Sequence, residues 1–142
     1  MIYVDTSVIV PLLTTEPKTD TVTAWFASLD GTPACADWLL TEFHSALSIK
    51  VRTGQITEID AKRVRKEFEI LAEGGVQLIP VSRSAFKHAA KMVQQHQHGL
   101  RSGDSLHLAV ALELEASHMA TLDSTLAASA KRNGIKLIEF RK

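Results

Sequence analysis

Met1-Ile2-Tyr3-Val4-Asp5-Thr6-Ser7-Val8-Ile9-Val10-Pro11-Leu12-Leu13 opens the chain, and its reading decides the fold. Residues 2–4 predict a short buried strand that stops at Asp5. Thr6-Ser7 then offers a helix cap, and residues 8–13 a first helix. Pro11 lies about a turn inside it, removes a backbone donor and should shorten or bend it. A strand that feeds straight into a helix is the opening unit of a parallel α/β sheet.

Working outward, the same alternation recurs. Residues 17–29 predict a second helix, with Val22, Trp25, Phe26 and Leu29 at helical spacing. Asp30-Gly31 is a turn, and residues 32–35 suit a short strand. Asp37 stands as a cap for a long helix through residue 52, striped by Leu39, Leu40, Phe43, Ala46, Leu47 and Val51. Residues 58–73 form a charged amphipathic helix, stopped by Gly74-Gly75. A strand over 76–81 and a helix over 84–95 follow, then a polar stretch at 94–99. Ser102 is read as the cap of a helix that is apolar almost all round from 106 to 114 and therefore deeply buried. Residues 119–122 give a strand, Asp123 caps a helix to 132, and 135–140 is the last strand. The fold class expected is an α/β/α sandwich around a mostly parallel central sheet, as one domain over residues 1–142.

Composition narrows the class. Hydrophobic residues make up 45% of the 142 and charged residues 23%, the balance of a folded domain rather than a disordered chain. Sixteen basic residues cancel sixteen acidic ones, which argues against a non-specific basic coat but leaves nucleic acid open. The single cysteine, Cys35, excludes an internal disulfide. The start lacks a basic, apolar leader, and no run reaches the roughly 18 apolar residues of a membrane span. A cytoplasmic protein without membrane contact is expected.

In parallel sheets, ligands gather at the carboxyl ends of strands. Asp5 and Asp123 stand at two such ends, Asp104 in the first turn of the buried helix, and Glu42 beside the apolar stripe of its own. Four carboxylates in one cavity resist ionising together unless a divalent cation neutralises them. Oxygen-only ligands suit Mg²⁺, with Mn²⁺ as a substitute, rather than Zn²⁺. Such a site suits phosphodiester hydrolysis. Each residue also has a plain structural reading: Asp123 as a cap, Asp104 as a dipole partner, Asp5 as a turn, Glu42 as a solvated helix residue.

Asp5-Thr6-Ser7, Thr41-Glu42-Phe43, Arg101-Ser102-Gly103-Asp104-Ser105-Leu106-His107-Leu108-Ala109 and Thr121-Leu122-Asp123 together resemble the PIN-domain family, and within it the VapC toxins of bacterial toxin–antitoxin pairs. The resemblance runs the length of the chain. It implies a Mg²⁺-dependent endoribonuclease acting on structured RNA, often transfer RNA. Asp5 and Asp104 would be the main metal ligands, and Glu42 and Asp123 would complete the catalytic site directly or through water. Thr6, Ser7 and Thr121 would orient the carboxylates. It further implies a homodimer and a small antitoxin protein (VapB-like) covering the site. A non-toxin nuclease, or an RNA-binding module that does not cut, is the alternative.

Other features weigh less. Arg101 is a candidate for RNA phosphate contact. Lys62, Arg63, Arg65 and Lys66 form a basic run whose default is a solvated helix face. His96 and His98 lack the companion ligands of a metal site, and His107 reads as packed or hydrogen-bonded. A phosphotransfer receiver or phosphatase would need an aspartyl nucleophile with a partner lysine. No lysine closely follows a candidate strand, and Asp5 is followed by Thr-Ser.

Overall fold

The computed structural model describes residues 1–140. Five short strands carry the architecture: β1 (Ile2–Val4), β2 (Ala34–Ala36), β3 (Gln77–Ile79), β4 (His118–Ala120) and β5 (Lys136–Leu137). They pair in the order β3-β2-β1-β4-β5, every pair parallel. Tyr3, Val4, Cys35, Met119 and Ala120 are fully buried, as expected of strands covered on both faces. The chain moves outward from β1 through β2 to β3, then crosses back to β4 and continues to β5. The strand order therefore reverses beside β1, and the β1/β4 carboxyl ends form the crevice where such sheets bind ligands.

Between the strands lie α1 (Thr6–Leu13), α2 (Thr19–Ala27), α3 (Trp38–Arg52), α4 (Glu58–Ile70), α5 (Arg83–Val93), α6 (Ser102–Glu113) and α7 (Ser124–Arg132). Right-handed crossovers put α1 to α4 on one face and α5 to α7 on the other. The packing follows that division, with α1 on α2 and α3, and α6 on α5 and α7. No helix among the described residues is long and apolar enough to cross a membrane.

Several element ends differ from the sequence reading. Helix α1 begins at Thr6 rather than at residue 8, and ends at Leu13 as expected, two residues after buried Pro11. Thr19 ties the approach to α2, accepting from Glu16 N–H at 2.9 Å and donating to the Thr14 carbonyl at 2.8 Å, so that helix begins later than residue 17. Helix α4 widens into a π-turn over Leu71–Gly75, closed by Val76 N–H on the Leu71 carbonyl. The strands over 76–81 and 135–140 shrink to three and two residues: Val76 N–H closes the π-turn instead of a ladder, and the β5 ladder ends with Ile138 N–H on the Met119 carbonyl at 2.9 Å. Three expected caps fail. Thr6 and Ser7 lie inside α1, after Asp5, which makes no cap bond either. Asp37 is itself helical in backbone and makes no cap bond, and Ser102 lies inside α6, after Arg101. Ser82 caps α5 through Ala85 N–H at 3.0 Å, and Asp123 caps α7 through Leu126 N–H at 2.9 Å.

Candidate metal centre

Asp5 continues the β1 ladder by one residue, its N–H on the Ala120 carbonyl at 3.1 Å, which fixes its side chain in the β1/β4 crevice. Only 2% of it is exposed. Burial pushes its carboxyl up to about 6, helped by the nearby Asp104 charge and opposed by His107, Ser7 and Thr121. Ser7, the second residue of α1, donates to Asp5 Oδ1 at 2.7 Å and accepts from Leu122 N–H at 2.8 Å. Its hydroxyl lies 3.3 Å from that of Thr121, which accepts from Asp123 N–H at 3.0 Å. These bonds lace the start of α1 to the loop after β4.

Asp104 is held in the first turn of α6, where the helix N-terminus favours a negative charge. Its Oδ2 is buried and has no hydrogen-bond partner. Arg101 Nε approaches that oxygen only to 4.0 Å, beyond hydrogen-bonding distance. Burial raises the Asp104 pKa, and the charges of Asp123 and Glu42 add to it against His107 and Arg101. An orphaned buried carboxylate oxygen costs about 1–3 kcal/mol or more. The structure thus leaves this oxygen without the hydrogen bond that its burial calls for.

Glu42 projects from α3 towards α1 and α6. Its Oε1 accepts from Thr6 Oγ1 at 2.7 Å and from His107 Nε2 at 2.5 Å. Burial would raise its pKa, but these bonds, the His107 charge and the neighbouring Trp38 indole hold it below the usual carboxylate value. The Trp38 N–H acts on that charge, although it is buried and makes no hydrogen bond. Gly103 makes room for both groups: a Cβ there would lie 2.8 Å from Glu42 Oε2 and 3.1 Å from Trp38 Nε1.

Asp123 divides its oxygens, Oδ1 on the α7 cap and Oδ2 at 3.4 Å from Arg101. The Arg101 side chain is 81% exposed and leans over the Asp104–Asp123 pair. An open groove of about 560 Å³ runs from Arg101 and Asp104 between α1 and α3, past Thr6, Trp38 and Glu42.

Residues 2–127 match the family model described as PIN domain. The chain belongs to the PIN-domain family. No curated protein matches it. Among solved structures this PIN domain superimposes on Mycobacterium tuberculosis VapC20, described as a sarcin-ricin loop cleaving toxin, with a TM-score of 0.74 and 18% identity over 91% of this chain and 95% of that one. FitAcB from Neisseria gonorrhoeae gives a TM-score of 0.74 and 19% identity, covering 98% and 97%. VapBC2 from Rickettsia felis, bound to a DNA fragment from its promoter, gives 0.70 and 18%, covering 99% and 100%. At these identities the likeness establishes the shared fold.

Within the PIN domain, Asp104 sits at the centre, with Asp5, Glu42 and Asp123 all close enough to perturb or be perturbed by its charge. The four do not form a ready-made cage: no group of three or more metal-ligating side chains converges among the described residues. A hexacoordinate oxygen-loving ion needs no cage, since Mg²⁺ keeps several waters and takes one or two carboxylates. The orphaned Asp104 oxygen and the all-oxygen donor set fit such an ion. The basic run on α4 is spent on ion pairs and solvent, with Arg63 on Glu67 at 2.9 Å and Arg65 on Glu58 at 2.5 Å. Sequence reasoning missed Tyr3, Trp38 and Gly103. For His107 a signal existed, a polar ring one turn after Asp104 on an otherwise apolar helix.

Proposed function

We propose that this PIN domain is a metal-dependent endoribonuclease, the toxin of a type II toxin–antitoxin pair, cleaving phosphodiester bonds in a structured RNA such as transfer RNA. The observation that carries the reading is the unpartnered Asp104 carboxylate at the sheet's switch point, with Asp5, Glu42 and Asp123 near enough for the charges to act on one another. The fold neighbour described as a sarcin-ricin loop cleaving toxin supports the substrate class.

Asp104 and Asp5 would hold Mg²⁺ or Mn²⁺, with Glu42 and Asp123 completing the site directly or through water. When bound, the ion supplies an activated water and charge stabilisation at the phosphate. The chain's own residues prepare that chemistry. Ser7 aims the Asp5 carboxylate, and Thr6 aims that of Glu42. Arg101, exposed at the mouth of the groove, would release Asp123 and Asp104 to take an RNA phosphate.

A homodimer, a cytoplasmic setting and an antitoxin over the groove belong to the same reading. The neighbour VapBC2 is described as bound to promoter DNA. The test is co-expression: the chain alone should arrest growth, a cognate antitoxin should lift the arrest, and Asp5→Asn should abolish it. Growth unaffected by an expressed, folded chain would overturn the toxin assignment.

A further inference from the structure

Glu42 differs from the other site carboxylates in how far its anchoring reaches. The backbone N–H of Ala36, at the end of β2, donates to Tyr3 Oη at 2.9 Å. Tyr3 Oη lies 2.6 Å from His107 Nδ1, the two rings meeting edge to face with centroids 5.8 Å apart. His107 Nε2 reaches Glu42 Oε1, which Thr6 also engages from α1. Tyr3 and His107 are both fully buried, so water cannot substitute for either partner. A line of hydrogen bonds thus runs from the sheet backbone, through two buried rings, to one oxygen of a groove-lining carboxylate.

We infer that His107, seated by Tyr3, is a positioning residue for Glu42: it fixes Oε1 and leaves Oε2, beside Gly103, as the oxygen available to the groove. The inference rests on the reading of this site as a nuclease centre. The direction of the last bond does not depend on the charge of the ring. A neutral imidazole that accepts the Tyr3 O–H on Nδ1 must carry its proton on Nε2, and a charged one carries protons on both. Either way Nε2–H donates to Glu42. Packing alone does not account for the arrangement. Leu106, Leu108 and Val110 show what α6 uses where only apolar volume is needed. The outer partners of a ligand commonly tune metal affinity or activity about 10–100-fold.

The test uses the full chain and three variants. The Gln side chain carries its amide nitrogen where Nε2 stands, and Asn where Nδ1 stands. His107→Gln should therefore keep the donor to Glu42, while His107→Asn loses it; Tyr3→Phe keeps both rings and removes only the hydroxyl that seats His107. Mn²⁺ titration of RNA-free protein, followed by electron paramagnetic resonance, should show an affinity loss of about 10–100-fold in His107→Asn, a smaller one in Tyr3→Phe, and recovery in His107→Gln. In cleavage assays kcat should fall with KM unchanged. In metal-free protein the His107 Nε2 proton should resonate at low field and move on Glu42→Gln. Should His107→Asn fail to fold, Tyr3→Phe and the proton signal carry the test. Wild-type Mn²⁺ affinity and kcat in both variants, or a proton indifferent to Glu42→Gln, would overturn the inference. A wild-type chain that neither binds Mn²⁺ nor cuts RNA would instead overturn the nuclease reading, and the proton signal would then judge the positioning by itself.

Discussion

Replacing Gly103 by Ala separates activity from stability in this site. The new methyl would stand 2.8 Å from Glu42 Oε2, so that oxygen must retreat by about 0.6 Å to reach an ordinary 3.4 Å contact. It cannot swing freely, because Thr6 and His107 hold the other oxygen. Trp38 Nε1, at 3.1 Å, closes the second direction of relief. Overpacking of this kind costs about 1–3 kcal/mol. Against it, Ala is favoured over Gly in a helix by up to about 1 kcal/mol. The net loss of about 0–3 kcal/mol should lower Tm by no more than about 12 °C. Misplacing a reacting group by 1 Å costs about 100-fold, so a somewhat smaller shift should cost about 10- to 100-fold in kcat. The assay pairs thermal unfolding with RNA cleavage in Mg²⁺. A Gly103→Ala protein that cleaves at the wild-type rate would refute the claim that Glu42 must keep its place.

Asp5 makes stability pH-dependent. Its folded pKa of about 6 lies above the unfolded value near 3.9, so the folded state binds the proton more tightly. The metal-free protein should therefore lose about 3 kcal/mol as pH rises from about 4 to about 6, a loss complete above that window. Asp5→Asn should flatten this slope in denaturant titrations; an unchanged profile would reject the burial argument. Millimolar Mg²⁺ or Mn²⁺ should raise Tm in the wild type, by about 2.7 kcal/mol of linkage at one hundred times Kd, and should not do so in Asp104→Asn. Arg101→Ala should leave stability within about 0.5 kcal/mol, because the side chain is exposed, while raising KM for RNA and reducing its salt dependence. Wild-type KM would remove Arg101 from the interface. Asp123→Ala should cost about 1 kcal/mol through its cap, measurable by urea unfolding, in addition to any loss of cleavage.

The sheet was legible because its strands announce themselves by apolar content and, for all but the last, by the helix that follows. Asp5 and Asp123 were legible as strand-end residues, and Asp104 as an acid opening an apolar helix. Strand lengths were not, since Val76 and Ile138 are as apolar as their paired neighbours, yet Val76 N–H turns to the Leu71 carbonyl and Ile138 takes only the last bond of its ladder. Caps were legible where Asp123 has a free N–H to take, and failed at Thr6-Ser7, Asp37 and Ser102, whose side chains cap no helix N–H. Tyr3, Trp38 and Gly103 escaped notice because their roles arise from contacts over 33 to 104 residues of separation or from close approach, which no local pattern records.

The central claim is that Asp104 serves a metal-dependent cut in RNA. Purified, partner-free protein incubated with total cellular RNA, in Mg²⁺ and in EDTA, beside Asp104→Asn, tests it most directly. Discrete fragments that require both the metal and Asp104 are the predicted result. Intact RNA in every lane from a folded protein, or cleavage that persists in EDTA or in Asp104→Asn, would contradict it.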